Sequence, residues 1–118
     1  MREILVMGSG SWGTALVKIL LENSDMYVNW WVRSEDAASY INTHGQNPKY
    51  LRSVHFDTKR LHASADARTL VAKSSVILLV TPSAFVGQAL GQLDEGQLVD
   101  KQVISAIKGV EPKSLKIL

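Results

Sequence analysis

Short runs of apolar residues alternate along this chain with longer segments in which apolar residues recur at helical spacing. The runs at 4–7, 27–32 and 75–81 are rich in branched, aromatic or long apolar side chains and predict buried β-strands. The periodic segment from Ser11 to Asn23 predicts an amphipathic helix between the first two strands. Further along, the same criteria predict strands at 60–63 and 102–107 and helices at 34–42, 66–73 and 86–93.

This alternation of strands and helices predicts the fold class. Strand–helix–strand units join parallel strands, and their helices cover both faces of the sheet. We therefore expect an α/β protein with a Rossmann-like, doubly wound and mainly parallel sheet. Segment 43–57 is the least regular part, because Gly45 and Pro48 interrupt any pattern. Residues 1–118 are expected to form one domain, truncated near its C-terminal end because 110–118 complete no helix.

The composition is that of a folded globular protein, with 46% hydrophobic and 20% charged residues. A net charge of +2, spread along the chain, argues against binding to nucleic acid. The longest apolar runs are too short to span a membrane. The segment from Met1 to Glu3 leads into a strand without the apolar stretch of a secretory signal, so we expect a cytoplasmic location.

Metal and thiol chemistry have little support in the sequence. The chain contains no cysteine, which excludes disulfides and thiolate metal sites. The three histidines, His44, His55 and His62, lack metal-ligand spacing and are expected to be loop or surface residues. We see no pair of nucleophile and base and no paired carboxylates.

The strongest functional signal is a glycine motif. Gly8, Gly10 and Gly13 match the pattern G-x-G-x-x-G, which alone is weak but here follows a predicted strand and opens a predicted helix. Gly8 then allows the tight turn, Gly10 lets a pyrophosphate approach the backbone, and Gly13 lets the helix pack against the strand. The helix N-terminus adds unpaired N–H groups that favour phosphate. A dinucleotide site is the favoured interpretation over a plain turn.

The residues after the second strand indicate which dinucleotide binds. Sites that prefer NAD usually place an acidic residue there, whereas this chain has Arg33, and Glu35 and Asp36 already belong to the next helix. A guanidinium can face the 2′-phosphate of NADP and stack on the adenine. We expect a preference for NADPH, with NAD as a second cofactor. A solvated surface arginine is the alternative, and a methyltransferase is disfavoured because it generally needs the acid.

Two further residues stand out. Trp12 lies within the glycine loop but shares a helical stripe with Ala15, Leu16 and Ile19, so its ring is expected to pack inward. Lys108 follows the last predicted strand and is expected at the carboxyl edge of the sheet, where it could meet an anionic substrate. From these residues alone, an ordinary surface lysine explains Lys108 equally well.

Several stretches of the chain resemble the NAD(P)-dependent glycerol-3-phosphate dehydrogenases. They follow the order and spacing of that family and cover nearly the whole chain. The stretches are GSGSWGTAL at 8–16, WWVR at 30–33, INTHGQNPKYL at 41–51, VTPSAF at 80–85 and SAIKGVE at 105–111.

The resemblance implies hydride transfer between NAD(P)H and dihydroxyacetone phosphate, giving sn-glycerol 3-phosphate for glycerophospholipid synthesis. It also implies a set of cofactor-binding residues, with Arg33 at the adenosine end and Lys108 where nicotinamide and substrate meet. The full set is Gly8, Gly10, Ser11, Trp12, Gly13, Arg33, Tyr50, Phe85 and Lys108, of which Lys108 also binds substrate.

The chain departs from the family in two respects. The family often has Pro-Gly after Tyr50-Leu51 and then Leu-Pro, where this chain has Arg52-Ser53 and Phe56-Asp57, which leaves the conformation of this loop open. The family's catalytic lysine lies in a helical C-terminal domain that this chain does not include. The resemblance thus implies that this chain is the cofactor-binding half of the enzyme, is inactive alone and partners the C-terminal domain. Homodimerisation of the full enzyme is left open. Another NAD(P)-dependent reductase of the same half-fold and a non-catalytic dinucleotide-sensing module are the alternatives.

Overall fold

The computed structural model of the protein describes residues 3–8, 10–49, 53–80 and 101–105. Its regular elements alternate between strand and helix along most of this part of the chain. The strands are β1 (Glu3–Met7), β2 (Tyr27–Trp31), β3 (Leu61–Ser64), β4 (Val76–Leu79) and β5 (Gln102–Ser105), the helices are α1 (Ser11–Asn23), α2 (Glu35–His44) and α3 (Ala67–Lys73), and a 3₁₀ turn spans Thr58–Arg60.

The strands form one parallel sheet in the order β3-β2-β1-β4-β5. The chain first builds outward from β1 to β3, then crosses back to place β4 on the other side of β1. Met7, at the end of β1, lies between Trp31 and Leu79. The predicted Rossmann-like, doubly wound sheet is confirmed, and the point where its strand order reverses lies beside β1, where such folds bind ligands.

Two clusters of apolar side chains cover the two faces of the sheet. Side chains alternate along a strand, so Trp30 and Trp31 of β2 point to opposite faces. Trp30 packs in the cluster that includes α1 and α2, while Trp31 packs in the cluster that includes α3. Burial on both faces explains why the strands are apolar throughout rather than alternating.

Local signals explain where α2 begins and ends. Ser34 caps its N-terminus by accepting a hydrogen bond at Oγ from the Ala37 N–H, at 3.1 Å. The helix continues to His44 because Gly45 adopts the left-handed conformation, with φ of 68°, and its N–H donates to the Ile41 carbonyl. The helix is therefore longer than the predicted segment 34–42. The other predicted elements within the described residues agree with the structure to within about two residues.

The inward packing predicted for Trp12 is wrong. Its side chain is 55% exposed, and Ile19 of the same expected stripe is 50% exposed. The buried face of α1 instead consists of Gly13, Thr14, Val17 and Leu21. The reason is the close approach of Gly13 to Gly8, which turns this face of the helix toward the sheet and leaves Trp12 on the outside.

The histidines are distributed as follows. His55 is exposed in the irregular segment, and exposed His44 ends α2 with its ring 4.4 Å from that of Tyr40. His62 is a partly buried residue of β3 rather than a loop residue; burial and the nearby Lys73 lower its pKa. Across the described ranges, no group of three or more His, Asp or Glu residues could hold a metal ion. The helices in these ranges are also too short or too polar to cross a membrane.

Candidate functional site

The glycine loop connects β1 to α1 at the carboxyl edge of the sheet. Gly8 has a φ of 139°, a backbone conformation that strongly favours glycine. Its N–H donates to the Trp31 carbonyl at 3.1 Å, which ties the start of the loop to β2. The turn that the motif assigns to its first glycine is therefore present.

The other two glycines of the motif have opposite surroundings. A Cβ atom at Gly13 would lie 2.3 Å from the Gly8 carbonyl oxygen and 3.1 Å from Cγ2 of Val80, so a side chain there cannot fit without movement of the backbone. A Cβ atom at Gly10 would meet no heavy atom within 4 Å. Gly13 thus lets α1 pack closely on the loop, while the space next to Gly10 is open to a ligand.

Gly10 is also the N-cap of α1, and it provides no side chain to satisfy the first N–H groups of the helix. The first turn of α1 contains no acidic residue. These amide groups and the positive end of the helix dipole therefore face a region suited to an anion such as pyrophosphate.

Buried side chains hold the carbonyl groups of the loop from the inside. The indole Nε1–H of Trp30 donates to the Gly8 carbonyl at 2.7 Å. The Gly10 carbonyl accepts from the N–H and the hydroxyl of Thr14, at 2.9 and 2.8 Å. Thr14 Oγ1 in turn accepts from Nδ2 of Asn47 at 3.0 Å. The loop is thus fixed at both ends by groups that do not occupy its outer side.

Asn47 connects the irregular segment to this arrangement. It is only 3% exposed, and its Oδ1 accepts from the Lys49 N–H at 2.8 Å, so both ends of its amide are bonded. The Phe56 N–H donates to the Gly45 carbonyl, and the Phe56 ring packs against that of Trp30. The least regular part of the sequence is therefore anchored behind the glycine loop.

The described residues predicted to bind the cofactor lie at this one edge. Ser11 and Trp12 are exposed at the start of α1. Arg33 is exposed just beyond β2, which is paired in parallel with β1. Glu35 and Asp36 lie in the first turn of α2, as predicted, and Glu35 Oε1 accepts from the Ala65 N–H at 3.3 Å. Tyr50, Phe85 and Lys108 lie outside the described residues.

Trp30, Thr14 and Asn47 were not among the predicted site residues. Their contacts join positions far apart in the sequence, which motif and periodicity do not report. All three lie within the stretches that resemble the family, and Thr14 is also a polar residue directly after Gly13 on the helix face that the glycine turns inward.

Among the residues that the structure describes, no ionisable group with a shifted pKa belongs to the glycine loop. Within the described ranges, the groups with a clearly shifted pKa are His62 and Asp66. Hydrogen bonds from the hydroxyl and N–H of Thr69 lower the pKa of Asp66, which is the N-cap of α3. The arrangement at the loop is suited to binding an anionic ligand rather than to moving a proton.

Residues 3–118 match the family model described as NAD-dependent glycerol-3-phosphate dehydrogenase N-terminus. The chain belongs to this family. Among curated relatives, a glycerol-3-phosphate dehydrogenase [NAD(P)+] of Azotobacter vinelandii is 36% identical over 117 residues, covering 99% of this chain and 34% of the relative. That of Macrococcus caseolyticus is 32% identical over 116 residues, covering 98% and 34%. The chain thus spans about a third of the length of these glycerol-3-phosphate dehydrogenases.

Solved structures of the family share the fold. A glycerol-3-phosphate dehydrogenase of Saccharomyces cerevisiae superposes with a TM-score of 0.77 at 28% identity, covering 93% of this chain and 34% of that protein. The enzyme of Coxiella burnetii gives a TM-score of 0.73 at 25% identity, covering 96% and 34%. The chain therefore shares the sequence family and the fold of the matching third of these solved enzymes.

Proposed function

We propose that this chain binds NAD(P) at the glycine loop and is the cofactor-binding half of an NAD(P)-dependent glycerol-3-phosphate dehydrogenase. The observation that carries the proposal is a contrast within the motif. The Gly8 carbonyl fills the space that a Cβ atom of Gly13 would need, whereas the space next to Gly10 is open. Gly10 is also the N-cap of α1 and has no side chain. A pyrophosphate placed beside Gly10 would meet backbone N–H groups at the positive end of the helix.

The remaining cofactor contacts follow from the placement of residues at the same edge. Ser11 and Trp12 flank the open space at the start of α1, so we propose that the hydroxyl and ring contact the dinucleotide. Arg33 would hold the adenosine end. Tyr50, Phe85 and Lys108 remain predictions of the family resemblance, with Lys108 as the contact to both nicotinamide and substrate.

The proposed reaction of the complete enzyme is the interconversion of dihydroxyacetone phosphate and sn-glycerol 3-phosphate, the latter used in glycerophospholipid synthesis. The bound dinucleotide supplies or accepts the hydride. The residues of this chain bind and orient that cofactor, and the catalytic lysine is expected in the remainder of the enzyme. We therefore expect the 118-residue chain to bind dinucleotide without turning over substrate. A cytoplasmic location and homodimerisation also remain predictions.

Tryptophan fluorescence during titration with NADH or NADPH tests cofactor binding. Trp12 is 55% exposed beside the loop, so a bound dinucleotide is expected to quench its emission. The same titration of Trp12→Phe separates this signal from those of the two buried tryptophans. An absence of binding to either dinucleotide at millimolar concentration, checked by calorimetry, would contradict the proposal.

The preference for NADPH depends on Arg33. In Arg33→Ser, we expect the Kd for NADPH to rise roughly tenfold, or about 1.4 kcal/mol, because a charge-assisted contact to the 2′-phosphate is lost. The Kd for NADH should rise by only roughly twofold to fivefold, because stacking on the adenine is lost but NADH has no 2′-phosphate.

The matched control is Lys59→Ser, which removes one exposed positive charge from the turn that precedes β3, at the opposite edge of the sheet. It should leave both constants unchanged. An equal loss of NADPH affinity in Arg33→Ser and Lys59→Ser would show that the effect depends only on net charge. It would contradict the assignment of Arg33 to the 2′-phosphate.

A further inference from the structure

The side chain of Trp30 makes a contact that the cofactor motif does not explain. Trp30 is fully buried in the apolar cluster beneath α1 and α2, yet its Nε1–H donates to the Gly8 carbonyl at 2.7 Å. The same carbonyl oxygen occupies the space where a Cβ atom of Gly13 would lie. The carbonyl of the first motif glycine is therefore directed into the protein and bonded there.

The direction of this carbonyl matters for an anionic ligand. Gly8 has no Cβ and a φ of 139°, so its backbone can occupy regions that side chains exclude, and the chain alone fixes its peptide weakly. A carbonyl turned outward would present its partial negative charge toward the phosphates. A donor beneath the loop keeps that charge away from the ligand and stabilises the inward orientation.

The indole is itself held in place. The ring of Phe56 packs edge-on against Trp30, with centroids 5.3 Å apart and planes at 76°. Phe56 is 7% exposed and is bonded through its N–H to the Gly45 carbonyl. The segment that follows α2 thus fixes the position of the Trp30 Nε1–H group through Phe56.

We infer that Trp30 is a positioning residue for the dinucleotide loop. Its indole N–H holds the Gly8 carbonyl inward and thereby sets the affinity of the loop for the dinucleotide. The inference rests on the proposed function for its ligand, and on the described contacts for the orientation of the loop.

The adjacent residue provides a matched control. Trp31 is 1% exposed, and its Nε1–H also donates to a backbone carbonyl, that of Ala65 at 3.1 Å. Its side chain packs in the cluster on the other face of the sheet, together with α3. Trp30→Phe and Trp31→Phe therefore each remove one buried indole donor and leave one carbonyl without it, but only the first carbonyl belongs to the glycine loop. The backbone carbonyl of residue 31, which accepts from the Gly8 N–H, is retained in both variants.

The experiment compares these two variants with the unaltered 118-residue chain in three measurements. Urea unfolding gives the stability, calorimetry under conditions where each protein is folded gives the Kd for NADPH and NADH, and NMR gives hydrogen exchange at the amides of Gly8 and Thr14. A purely structural role of Trp30 would change the stability and leave the Kd of the folded protein unaltered.

We expect both variants to lose stability, but only Trp30→Phe to raise both dissociation constants, by roughly tenfold, and to accelerate exchange at Gly8 and Thr14. If Trp30→Phe does not fold, 3-benzothienylalanine at position 30 replaces it, because sulfur substitutes for the N–H while the ring shape is nearly kept. Unchanged constants and exchange, or equal changes in the two variants, would overturn the inference. If the unaltered chain binds neither dinucleotide, the proposed function fails, and the exchange data alone decide whether Trp30 holds the loop.

Discussion

The two edges of the sheet use buried polar groups in different ways. At the amino edge, Nδ2 of Asn29 donates to both Glu3 Oε1 and Ser74 Oγ, each at 3.0 Å, while its buried Oδ1 has no hydrogen-bond partner among the described residues. At the carboxyl edge, Trp30 and Thr14 donate to the backbone carbonyls of the glycine loop. One network joins strands and helices, while the other shapes a loop.

This difference predicts that substitutions at one edge of the sheet change mainly stability and that substitutions at the other change ligand binding. At the amino edge, Asn29 links β1, β2 and the end of α3, so substitutions there should affect folding without affecting a ligand. The carboxyl edge supports its loop from the inside and leaves open space next to Gly10. Substitutions there should alter dinucleotide affinity, with or without a loss of stability.

The largest expected effect is that of Gly13→Ala. The added Cβ atom would lie 2.3 Å from the Gly8 carbonyl oxygen, so the loop or the helix must move. We expect the free energy of unfolding to fall by about 1–3 kcal/mol, as for other overpacked sites. Dinucleotide binding should weaken more than about a hundredfold, because the ends of the loop no longer meet α1 correctly. Calorimetry and urea unfolding measure both; an affinity within threefold of the original would contradict this account.

Gly10→Ala should affect binding more than stability. The new Cβ atom would meet nothing within 4 Å, but alanine is less favourable than glycine at the N-cap of α1, so stability should fall by about 1 kcal/mol or less. The methyl group would occupy the approach of the pyrophosphate, and we expect the Kd to rise by more than about tenfold. The same two measurements apply. Unaltered affinity would show that the ligand does not approach Gly10.

Asn29→Ala tests the opposite edge. Asn29 is fully buried, and its removal takes the amide donor from Glu3 and Ser74. We expect a loss of about 1–2 kcal/mol of stability, because the buried Ser74 loses a donor and a cavity forms, while removal of the unsatisfied Asn29 Oδ1 offsets part of the cost. The dinucleotide Kd of the folded protein should not change. A loss of affinity comparable to that of Gly10→Ala would remove the distinction between the two edges.

Asn47→Ala should give a smaller effect at the carboxyl edge. It removes the donor at 3.0 Å from Thr14 Oγ1, while the Thr14 hydroxyl can still donate to the Gly10 carbonyl. We expect about 0.5–1.5 kcal/mol of lost stability and a severalfold rise in Kd. Asn42→Ala is the control, because the Asn42 amide also bonds a residue far away in the sequence, but that residue is Ala63 of β3, bonded through its backbone. Equal effects on the Kd in both variants would contradict a specific role for Asn47.

Much of this architecture follows from the sequence because it depends on local signals. Apolar runs such as 4–7 indicate buried strands, Ser34 indicates a helix start, and the glycine motif has meaning through its place between a strand and a helix. Each signal involves residues close together in the chain. The parallel order of the strands then follows from the crossovers.

The rest depends on contacts between distant positions. Trp30 and Gly8, or Asn47 and Thr14, meet only after the sheet and the irregular segment have formed. Trp12 shows a second limit: the count of apolar residues placed it in the core, but the small residue Gly13 decides which face of α1 is buried. Close packing can depend on the absence of a side chain, which a hydrophobic pattern does not register.

The most direct test is an NMR titration of the isotopically labelled 118-residue chain with NADPH. The account predicts amide shift changes that concentrate at Gly8, Gly10, Gly13 and Arg33, with little change at Asn29 of the amino edge. Saturable changes centred on the amino edge, or no changes at millimolar NADPH, would contradict the assignment of the glycine loop as the dinucleotide site.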